Sequence, residues 1–407
     1  MDYSTHSTTG PYLAKVRSHV APYHAEVLGK RIIIFPQVMS PKYDWSTEFF
    51  IRSLPDLTGK NFLEVGCGSG AVSLFAKLKG ATAVTAVDIN KAAIENTKEN
   101  LRTYQVGSSQ VFYSDVFENV AQKFHVIAFN APYHGSKPKD MLEYGVSDPD
   151  YRALRKFLRD APTHLLPGGK ILLGFSNTGD VQLVQKLIHS SRLLCLRREE
   201  ETRDGWTALY FELKPVAITN AWQQFVYDDD AFWAEKYAKY VVGKRVAKIG
   251  YGFGYAANML MLAGAEVQSF DVQIVTGSVM PEQVKVYDGL RLPCKDDTFD
   301  VAICTYTLRH AKASMLLFAE LIRIAPQVII IAETYQNFFQ KIDVVYNCWQ
   351  TNRRARQGSG VRWGSYFAAK DLQKTFAENR LEVLEHQELA RRSFNVELYV
   401  AERRNTR

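Results

Sequence analysis

Two separate stretches of this chain open with the same pattern: an apolar strand, a glycine-rich turn, a helix and a second strand that ends on an acid. The first contains Asn61–Gly70 (NFLEVGCGSG) and reaches Asp88, and the second contains Arg245–Gly254 (RVAKIGYGFG) and reaches Asp271. The acid follows the first glycine of the turn by 22 residues in one stretch and by 21 in the other. A βαβ opening that recurs at matched spacing predicts two Rossmann-like domains in tandem.

Strand-like runs alternate with helical stretches through both halves. This alternation predicts an α/β fold in which each domain is a mostly parallel, twisted sheet with helices on both faces. With 407 residues, 46% of them apolar and 23% charged, the chain is long enough for two or three globular domains with full cores. We predict an N-terminal helical extension over residues 1–31, a ligand-binding catalytic domain over 32–215 and a second domain of the same type over 216–407.

The composition argues against several other classes of protein. The net charge of +7 is divided evenly between the two halves of the chain and no polybasic block stands out, so charge alone is only weak support for a nucleic-acid partner. The five cysteines form no pair or His/Cys group at metal-binding spacing, so no metal site is predicted. The N-terminus is polar, and no apolar run approaches the roughly 20 residues of a membrane helix. We therefore expect a cytoplasmic protein with no membrane partner.

The first glycine-rich turn has the features of a site for a nucleotide-type ligand. Gly66, Gly68 and Gly70 let the backbone turn tightly and approach a ligand where side chains would collide. Asp88, at the end of the second strand, can accept hydrogen bonds from two ribose hydroxyls. By itself such a turn also fits a nicotinamide cofactor, or a tight turn with no ligand.

An acid two residues before the first glycine distinguishes this turn. The pattern Glu64-x-Gly66-x-Gly68-x-Gly70 resembles motif I of the class I S-adenosylmethionine-dependent methyltransferases. The resemblance implies that Glu64 lies near the methionine end of the cofactor, and that Asp115 is the family's later acid, which contacts the adenine side. S-adenosylmethionine is thus the implied cofactor. The residues implied to bind it are Glu64, Gly66, Cys67, Gly68, Gly70, Asp88, Ile89, Asp115, Val116 and Asn130.

The tetrapeptide Asn130-Ala131-Pro132-Tyr133 follows a strand and resembles the (Asn/Asp)-Pro-Pro-(Tyr/Phe) motif of amino-methyltransferases, such as the release-factor glutamine, adenine-N6 and guanine-N2 enzymes. A planar amide or exocyclic amine is a poor nucleophile because its lone pair is delocalised. The resemblance implies that the Asn130 side-chain oxygen and the Ala131 carbonyl accept its N–H groups, and that Tyr133 stacks on it. The four implied catalytic residues are Asn130, Ala131, Pro132 and Tyr133.

Two features of this tetrapeptide leave room for another interpretation. Ala131 replaces the family's first proline, which keeps the acceptor carbonyl but adds an N–H and loosens the turn. Asparagine and proline also favour ordinary turns. Upstream, Phe35–Pro41 and the following Asp44-Trp45-Ser46 are similar to the segment that these enzymes place over the cofactor. His134 could act on a proton, although a histidine in such a place more often only lines the pocket.

The second half resembles a divergent class I methyltransferase. Its stretch Leu292–Asp300 is similar to one that is common in small-molecule methyltransferases. A basic, aromatic segment, Trp349–Trp363, could clamp a phosphate or carboxylate or cover the first domain's substrate, or it could be a solvated surface.

The cofactor turn of the second half is altered. Lys248 stands where the first half has Glu64, so a base replaces an acid in the part of the pocket that would hold a cationic amine. Only 17 residues separate Asp271 from Asp288, against 27 between Asp88 and Asp115, which predicts that a helix is missing. We expect this domain to keep the fold without the cofactor.

The predicted function is S-adenosylmethionine-dependent N-methylation of a planar amide, guanidine or exocyclic amine. No RNA-binding module precedes the catalytic domain, so a small-molecule substrate is favoured, with RNA or protein as the open alternatives. A bifunctional enzyme whose second domain methylates oxygen or carbon, and a non-catalytic scaffold that senses the cofactor, are the other interpretations. A homodimer formed through the second domain is a further expectation.

Overall fold

The computed structural model describes residues 9–311, 313–335, 367–390 and 395–404. The chain divides into two compact units, Met1–Val216 and Ala217–Arg407, hereafter unit 1 and unit 2. Each unit has its own mostly parallel sheet and its own hydrophobic core, which confirms the predicted fold class. The basic segment Trp349–Trp363 lies outside the described residues.

Unit 1 begins with helix α1 (Thr9–Arg17), followed by an antiparallel pair of strands, β1 (Tyr23–Val27) and β2 (Lys30–Ile34). Among the described residues of the expected helical extension, only Thr9–Arg17 are helical. Ala25 and Val27 of β1 are buried while the residues beside them are exposed, which is the two-residue period of a strand with one covered face.

The main sheet of unit 1 has seven strands in the order β5-β4-β3-β6-β7-β9-β8. Its first five members are parallel, and β9 is antiparallel to both β7 and β8. The strands are β3 (Asn61–Val65), β4 (Ala83–Asp88), β5 (Ser109–Tyr113), β6 (Phe124–Asn130), β7 (Leu165–Ser176), β8 (Leu193–Arg203) and β9 (Trp206–Pro215). The helices that connect them are α2 (Ser46–Ser53), α3 (Ala71–Leu78), α4 (Lys91–Thr103), α5 (Arg152–Asp160) and α6 (Val181–Ser190).

Two buried asparagines of α4 attach the β1–β2 pair to the domain. The side-chain oxygens of Asn96 and Asn100 accept the backbone N–H groups of Phe35 and Ile33, each at 2.8 Å. Asn100 also donates to the carbonyl of Ser69, in the glycine-rich turn, at 2.8 Å. Because buried backbone groups need partners, these amides stabilise both the edge of β2 and the turn.

Unit 2 repeats the strand order of unit 1, with β12-β11-β10-β13-β14-β17-β16 along the sheet and β15 beside β14. Its described strands are β10 (Arg245–Ile249), β11 (Glu266–Asp271), β12 (Val284–Val286), β13 (Val301–Thr305), β14 (Gln327–Tyr335), β15 (Phe367–Ala368), β16 (Leu381–Ala390) and β17 (Asn395–Arg403). Its described helices are α7 (Ala221–Tyr237), α8 (Tyr255–Ala263), α9 (Ser314–Ile324) and α10 (Ala369–Glu378).

The connection between β11 and β12 contains only a short 3₁₀ turn, Pro281–Gln283, whereas unit 1 has helix α4 between β4 and β5. The prediction that a helix is missing there is confirmed. The spacing alone decides this, because 12 residues between two parallel strands leave little length for a helix and its turns.

Candidate active site

A cavity at the carboxyl ends of β3, β4 and β6 brings the glycine-rich turn and the tetrapeptide of unit 1 together. All four predicted catalytic residues line it. The predicted cofactor-binding residues that line it are Glu64, Gly66, Cys67, Gly68, Asp88, Ile89 and Asn130. In an open parallel sheet this edge is where ligands bind, because the strand ends and the following loops meet there.

Three predicted cofactor-binding residues do not line this cavity. Gly70 is the N-cap of α3, with φ at 77°, and a side chain there would meet Thr97 of α4 at 2.8 Å. Asp115 forms an ion pair with Arg152 at 2.8 Å, and the side chain of Val116 is buried. Gly70 thus allows α3 and α4 to pack closely, and the described geometry gives Asp115 a partner within the protein.

Glu64 places a buried carboxylate at the cavity wall. It accepts hydrogen bonds from the backbone N–H of Ser73, at 2.8 Å, and from the Ser73 hydroxyl. Burial raises the pKa of Glu64 to about 8, against the opposing effect of these hydrogen bonds. A cation bound beside the carboxylate would favour its ionised form, so this wall fits the ammonium or sulfonium group of S-adenosylmethionine.

Asp88 ends β4 and holds the turn from the opposite side. Its carboxylate accepts the backbone N–H of Gly68 at 3.0 Å and that of Asn90 at 2.8 Å. Burial raises its pKa, and these hydrogen bonds oppose the shift. A side chain at Gly66, where φ is 68°, would press on the Phe129 ring at 3.1 Å. Glycine at this position therefore leaves the turn unstrained, and Gly66 lines the cavity, which fits a ligand lying against the backbone.

The tetrapeptide carries a short hydrogen-bond chain. The hydroxyl of Tyr133 lies 3.0 Å from Ser46 Oγ and 3.4 Å from Asn130 Oδ1. Ser46 Oγ donates in turn to Asp44 at 2.9 Å. Burial, together with the negative charge of Asp44, raises the pKa of Tyr133 well above its usual value, so its hydroxyl stays protonated. Because this hydroxyl has a shorter contact with Ser46, the side-chain oxygen of Asn130 can accept a hydrogen bond from a ligand.

Ala131 differs from the family's proline in having an N–H, and the structure shows which group accepts it. It donates to the carbonyl of Gly174 at 3.1 Å and continues the ladder between β6 and β7 by one residue. The extra donor is therefore satisfied, and the alanine is anchored by a bond that proline could not make.

Gly174 faces Asn130 across this ladder, and a side chain there would collide with the Asn130 amide and with the Phe50 ring, the latter at 2.9 Å. We therefore expect Gly174→Ala to displace the Asn130 amide and to lower turnover about tenfold while donor affinity stays the same. Steady-state rates and calorimetric titration of the donor would measure both. Gly107→Ala is the control, because a side chain at Gly107 meets nothing within 4 Å. Unchanged turnover in the Gly174 variant would contradict the expectation.

Tyr12 of α1 also lines the cavity and was not predicted. Its hydroxyl accepts the backbone N–H of Ser40 at 3.0 Å, and α1 packs through Leu13 and Val16 on Leu142. Tertiary packing alone brings α1 to the site, so no local motif could have identified Tyr12. His134 is buried outside the cavity lining, with Nε2 3.1 Å from the Thr9 hydroxyl.

The corresponding turn of unit 2 is filled by its own side chains. Lys248 is 2% exposed and donates to the carbonyls of Ile249, at 3.2 Å, and Gly250, at 2.7 Å. Burial lowers the pKa of Lys248, while the nearby charge of Asp230 acts in the opposite direction. The Lys248 side chain therefore does not turn to solvent. Its ammonium donates a hydrogen bond to the carbonyl of Gly250, the first glycine of the turn.

Tyr251 occupies the space that the missing helix leaves. Its hydroxyl donates to the carbonyls of Val279 and Met280, and its ring lies where a side chain at Gly254 would be. In unit 1 the same glycine position, Gly70, faces Thr97 of α4. Pairing of β13 with β10 places Thr305 at the position of Asn130, so unit 2 lacks the side-chain amide of the tetrapeptide.

Two general features accompany this site. None of the helices in the described part of the chain has the length and apolar character that crossing a membrane requires. Across the described ranges, no three His, Cys, Asp or Glu side chains come together as metal ligands would.

Unit 1 contains the part of the chain that matches a known protein family. Residues 32–195 match the model of the family described as "Methyltransferase small domain". A Methanocaldococcus jannaschii protein assigned as a protein N5-glutamine methyltransferase is 32% identical over 169 residues, which are 40% of this chain and 84% of that relative. Ribosomal RNA small subunit methyltransferase C of Mannheimia succiniciproducens is 34% identical over 152 residues, 37% of this chain and 42% of the relative. The chain thus covers less than half of the ribosomal RNA enzyme.

Among solved structures, ribosomal protein L11 methylase from Lactobacillus delbrueckii is similar over 42% of this chain and 76% of its own, with 16% identity and a TM-score of 0.34. These values add nothing to the assignment, which rests on the sequence matches. The matched residues include the turn, Asp88 and the tetrapeptide, all brought to one cavity. The chain belongs to the methyltransferase small-domain family and is a class I S-adenosylmethionine-dependent methyltransferase.

Proposed function

We propose that this enzyme methylates the nitrogen of a planar amide, guanidine or exocyclic amine. The observation that carries the proposal is the position of Asn130: it lines the cavity together with the donor turn, and the Tyr133 hydroxyl donates its hydrogen bond to Ser46. The amide oxygen and the carbonyl of Ala131 are two acceptors for the two N–H groups of a planar –NH₂.

The residues of the site hold the acceptor and do not act as a strong base. S-adenosylmethionine supplies an electrophilic methyl group; Glu64 would lie beside its methionine end, and Asp88 would accept hydrogen bonds from its ribose hydroxyls. Asn130 and Ala131 accept the N–H groups, which orients the nitrogen and stabilises the positive charge that develops on it as the N–CH₃ bond forms and the S–CH₃ bond breaks. The methylated nitrogen is then acidic enough to lose its extra proton to water. Tyr133, protonated because burial raises its pKa, cannot remove a proton and acts through its ring and its hydrogen bond to Ser46.

We propose a small molecule as the acceptor. The evenly spread charge of the chain supports this choice, because nucleic-acid binding normally uses a basic surface. A protein glutamine is the second candidate, because the M. jannaschii relative is assigned to that substrate and this chain covers 84% of it.

The test is methyl transfer from labelled donor to a panel of acceptors, read by mass spectrometry. The panel holds purine nucleosides, guanidines and primary amides, a glutamine-containing peptide, and a structured RNA. Label on the nitrogen of a small acceptor supports the proposal as stated. Label on the peptide or the RNA would instead identify a protein or an RNA as the acceptor. Label on carbon or oxygen, or donor binding without transfer to any member, contradicts N-methylation.

We further propose that unit 2 binds no donor, so that the intact chain holds one S-adenosylmethionine. Lys248 would place its ammonium near the donor's cationic groups, and like charges about 4 Å apart repel by about 4 kcal/mol at an effective dielectric of 20. Tyr251 fills the space beside the same turn. Calorimetric titration of the intact chain with the donor or its demethylated product should give one equivalent. Two equivalents would support the bifunctional interpretation.

A further inference from the structure

The last residue of the tetrapeptide is held through its backbone as well as its side chain. The hydroxyl of Tyr151 donates to the carbonyl of Tyr133 at 3.2 Å and accepts the backbone N–H of Asp180 at 3.0 Å. Tyr151 comes from the segment before α5, and Asp180 is the N-cap of α6. One buried phenol thus joins the tetrapeptide to the segments that follow β6 and β7.

The backbone that carries Tyr151 is in a conformation that non-glycine residues rarely adopt. Asp150 and Tyr151 have φ of 53° and 54°, in the left-handed region. Neighbouring bonds hold them there: the N–H of Asp150 donates to Gly135 O at 3.1 Å, and the N–H of Asp148 donates to His134 O at 2.8 Å. A residue other than glycine in the left-handed backbone region costs free energy. It persists where its surroundings fix it, often beside functional sites.

Two glycines leave the space that this arrangement needs. A side chain at Gly135 would meet the Tyr151 ring at 2.7 Å, and one at Gly179 would collide with the Tyr133 carbonyl. Neither residue has φ in the left-handed region, so the need at both positions is for room and not for an unusual backbone. The absence of a side chain at both glycines therefore allows the Tyr151 hydroxyl to approach the Tyr133 carbonyl.

We propose that Tyr151 is a positioning residue, which fixes the Tyr133 carbonyl and thereby the orientation of the Tyr133 ring against the acceptor. The proposal rests on the proposed function. Ala131 gives a reason for the proposal: the (Asn/Asp)-Pro-Pro-(Tyr/Phe) motif has a proline with fixed φ at this position, whereas alanine leaves φ free, so the tetrapeptide needs other constraints. The hydrogen bond from the Ala131 N–H to the Gly174 carbonyl fixes the start of the tetrapeptide. The hydrogen bond from the Tyr151 hydroxyl fixes its end.

The test removes one oxygen. Tyr151→Phe keeps the ring and its packing near Phe175, 6.1 Å between centroids, but loses both hydrogen bonds. We expect kcat to fall about tenfold, with the donor Kd and the acceptor KM unchanged within about twofold. Tyr104→Phe is the matched control, because its hydroxyl also donates to a backbone carbonyl, that of Arg31 at 3.0 Å, away from the cavity. Its kcat should not change.

A double-mutant cycle separates positioning from a general loss of stability. If Tyr151 acts through Tyr133, then Tyr151→Phe should cost nothing more in a Tyr133→Ala background. Additive losses, a parallel loss of donor affinity, or an unchanged kcat in the single variant would each overturn the proposal. The proposed function fails separately: an Asn130→Ala enzyme with full activity refutes it, whatever Tyr151→Phe does.

Discussion

Replacing Asn130 by alanine is expected to lower turnover about 100-fold or more, while the affinity for S-adenosylmethionine stays nearly unchanged. Removing one preorganised hydrogen-bond partner of a reacting group typically costs this much, because the partner acts mainly in the transition state. Among the described residues, the hydrogen bond to the Asn130 side chain comes from Tyr133 and not from the donor turn, so the variant should keep the turn intact. Single-turnover rates with saturating donor, together with calorimetric donor affinity, measure the two quantities separately.

Asn119→Ala is a suitable control, since its amide donates to the carbonyl of Tyr113 at 3.1 Å on an exposed part of unit 1. This variant should retain full turnover. Full activity of the Asn130 variant on the true acceptor would mean that the tetrapeptide is only a turn. Equal losses of turnover and donor affinity would instead mean that Asn130 binds the donor.

Asp88→Ala should weaken donor binding by about ten- to a hundredfold, or about 1.5–3 kcal/mol, the usual cost of losing a hydrogen bond to a charged group. The reason is its position at the end of β4, where the carboxylate faces the cavity and orients Gly68. The measurement is calorimetric titration of the donor, with thermal unfolding alongside to verify that the variant is folded.

Asp271→Ala provides the matched control within the same chain. Asp271 holds the turn of unit 2 as Asp88 holds that of unit 1, accepting the backbone N–H of Tyr251 at 2.7 Å. If unit 2 binds no donor, this variant should leave donor affinity and stoichiometry as they are. Unchanged affinity in a folded Asp88 variant would refute the assignment of Asp88 to the donor.

Much of the fold could be predicted because its signals are local. The repeated strand–turn–helix pattern indicates both sheets, and the short interval between Asp271 and Asp288 correctly excludes a helix. The meeting of the glycine-rich turn with Asn130 also follows from sequence, because parallel strands β3, β4 and β6 bring their carboxyl ends to one edge.

Other features depend on packing between distant segments and could not be predicted. The charge reversal at Lys248 is visible in the sequence, but the two backbone carbonyls that accept its hydrogen bonds are not, and neither is the effect of the charge of Asp230, on α7, on its pKa. Tyr12 reaches the cavity only because α1 packs on Leu142. Strand β1 lies within residues 1–31, where a helical extension was expected; it is a strand because it pairs with β2, a contact that no local helical or strand signal specifies.

The attachment of α1 and the β1–β2 pair bears on where the catalytic module begins and ends. A fragment cut at the limits of the family match, 32–195, would lose Tyr12 from the cavity and leave β2 without its antiparallel partner. It would also lose β9 and uncover the edge of β7, where Phe175 and the residues that brace the tetrapeptide lie. An expression fragment intended to methylate its acceptor should therefore extend from Met1 through Val216, because the stretch that matches the family is not a closed folding unit by itself.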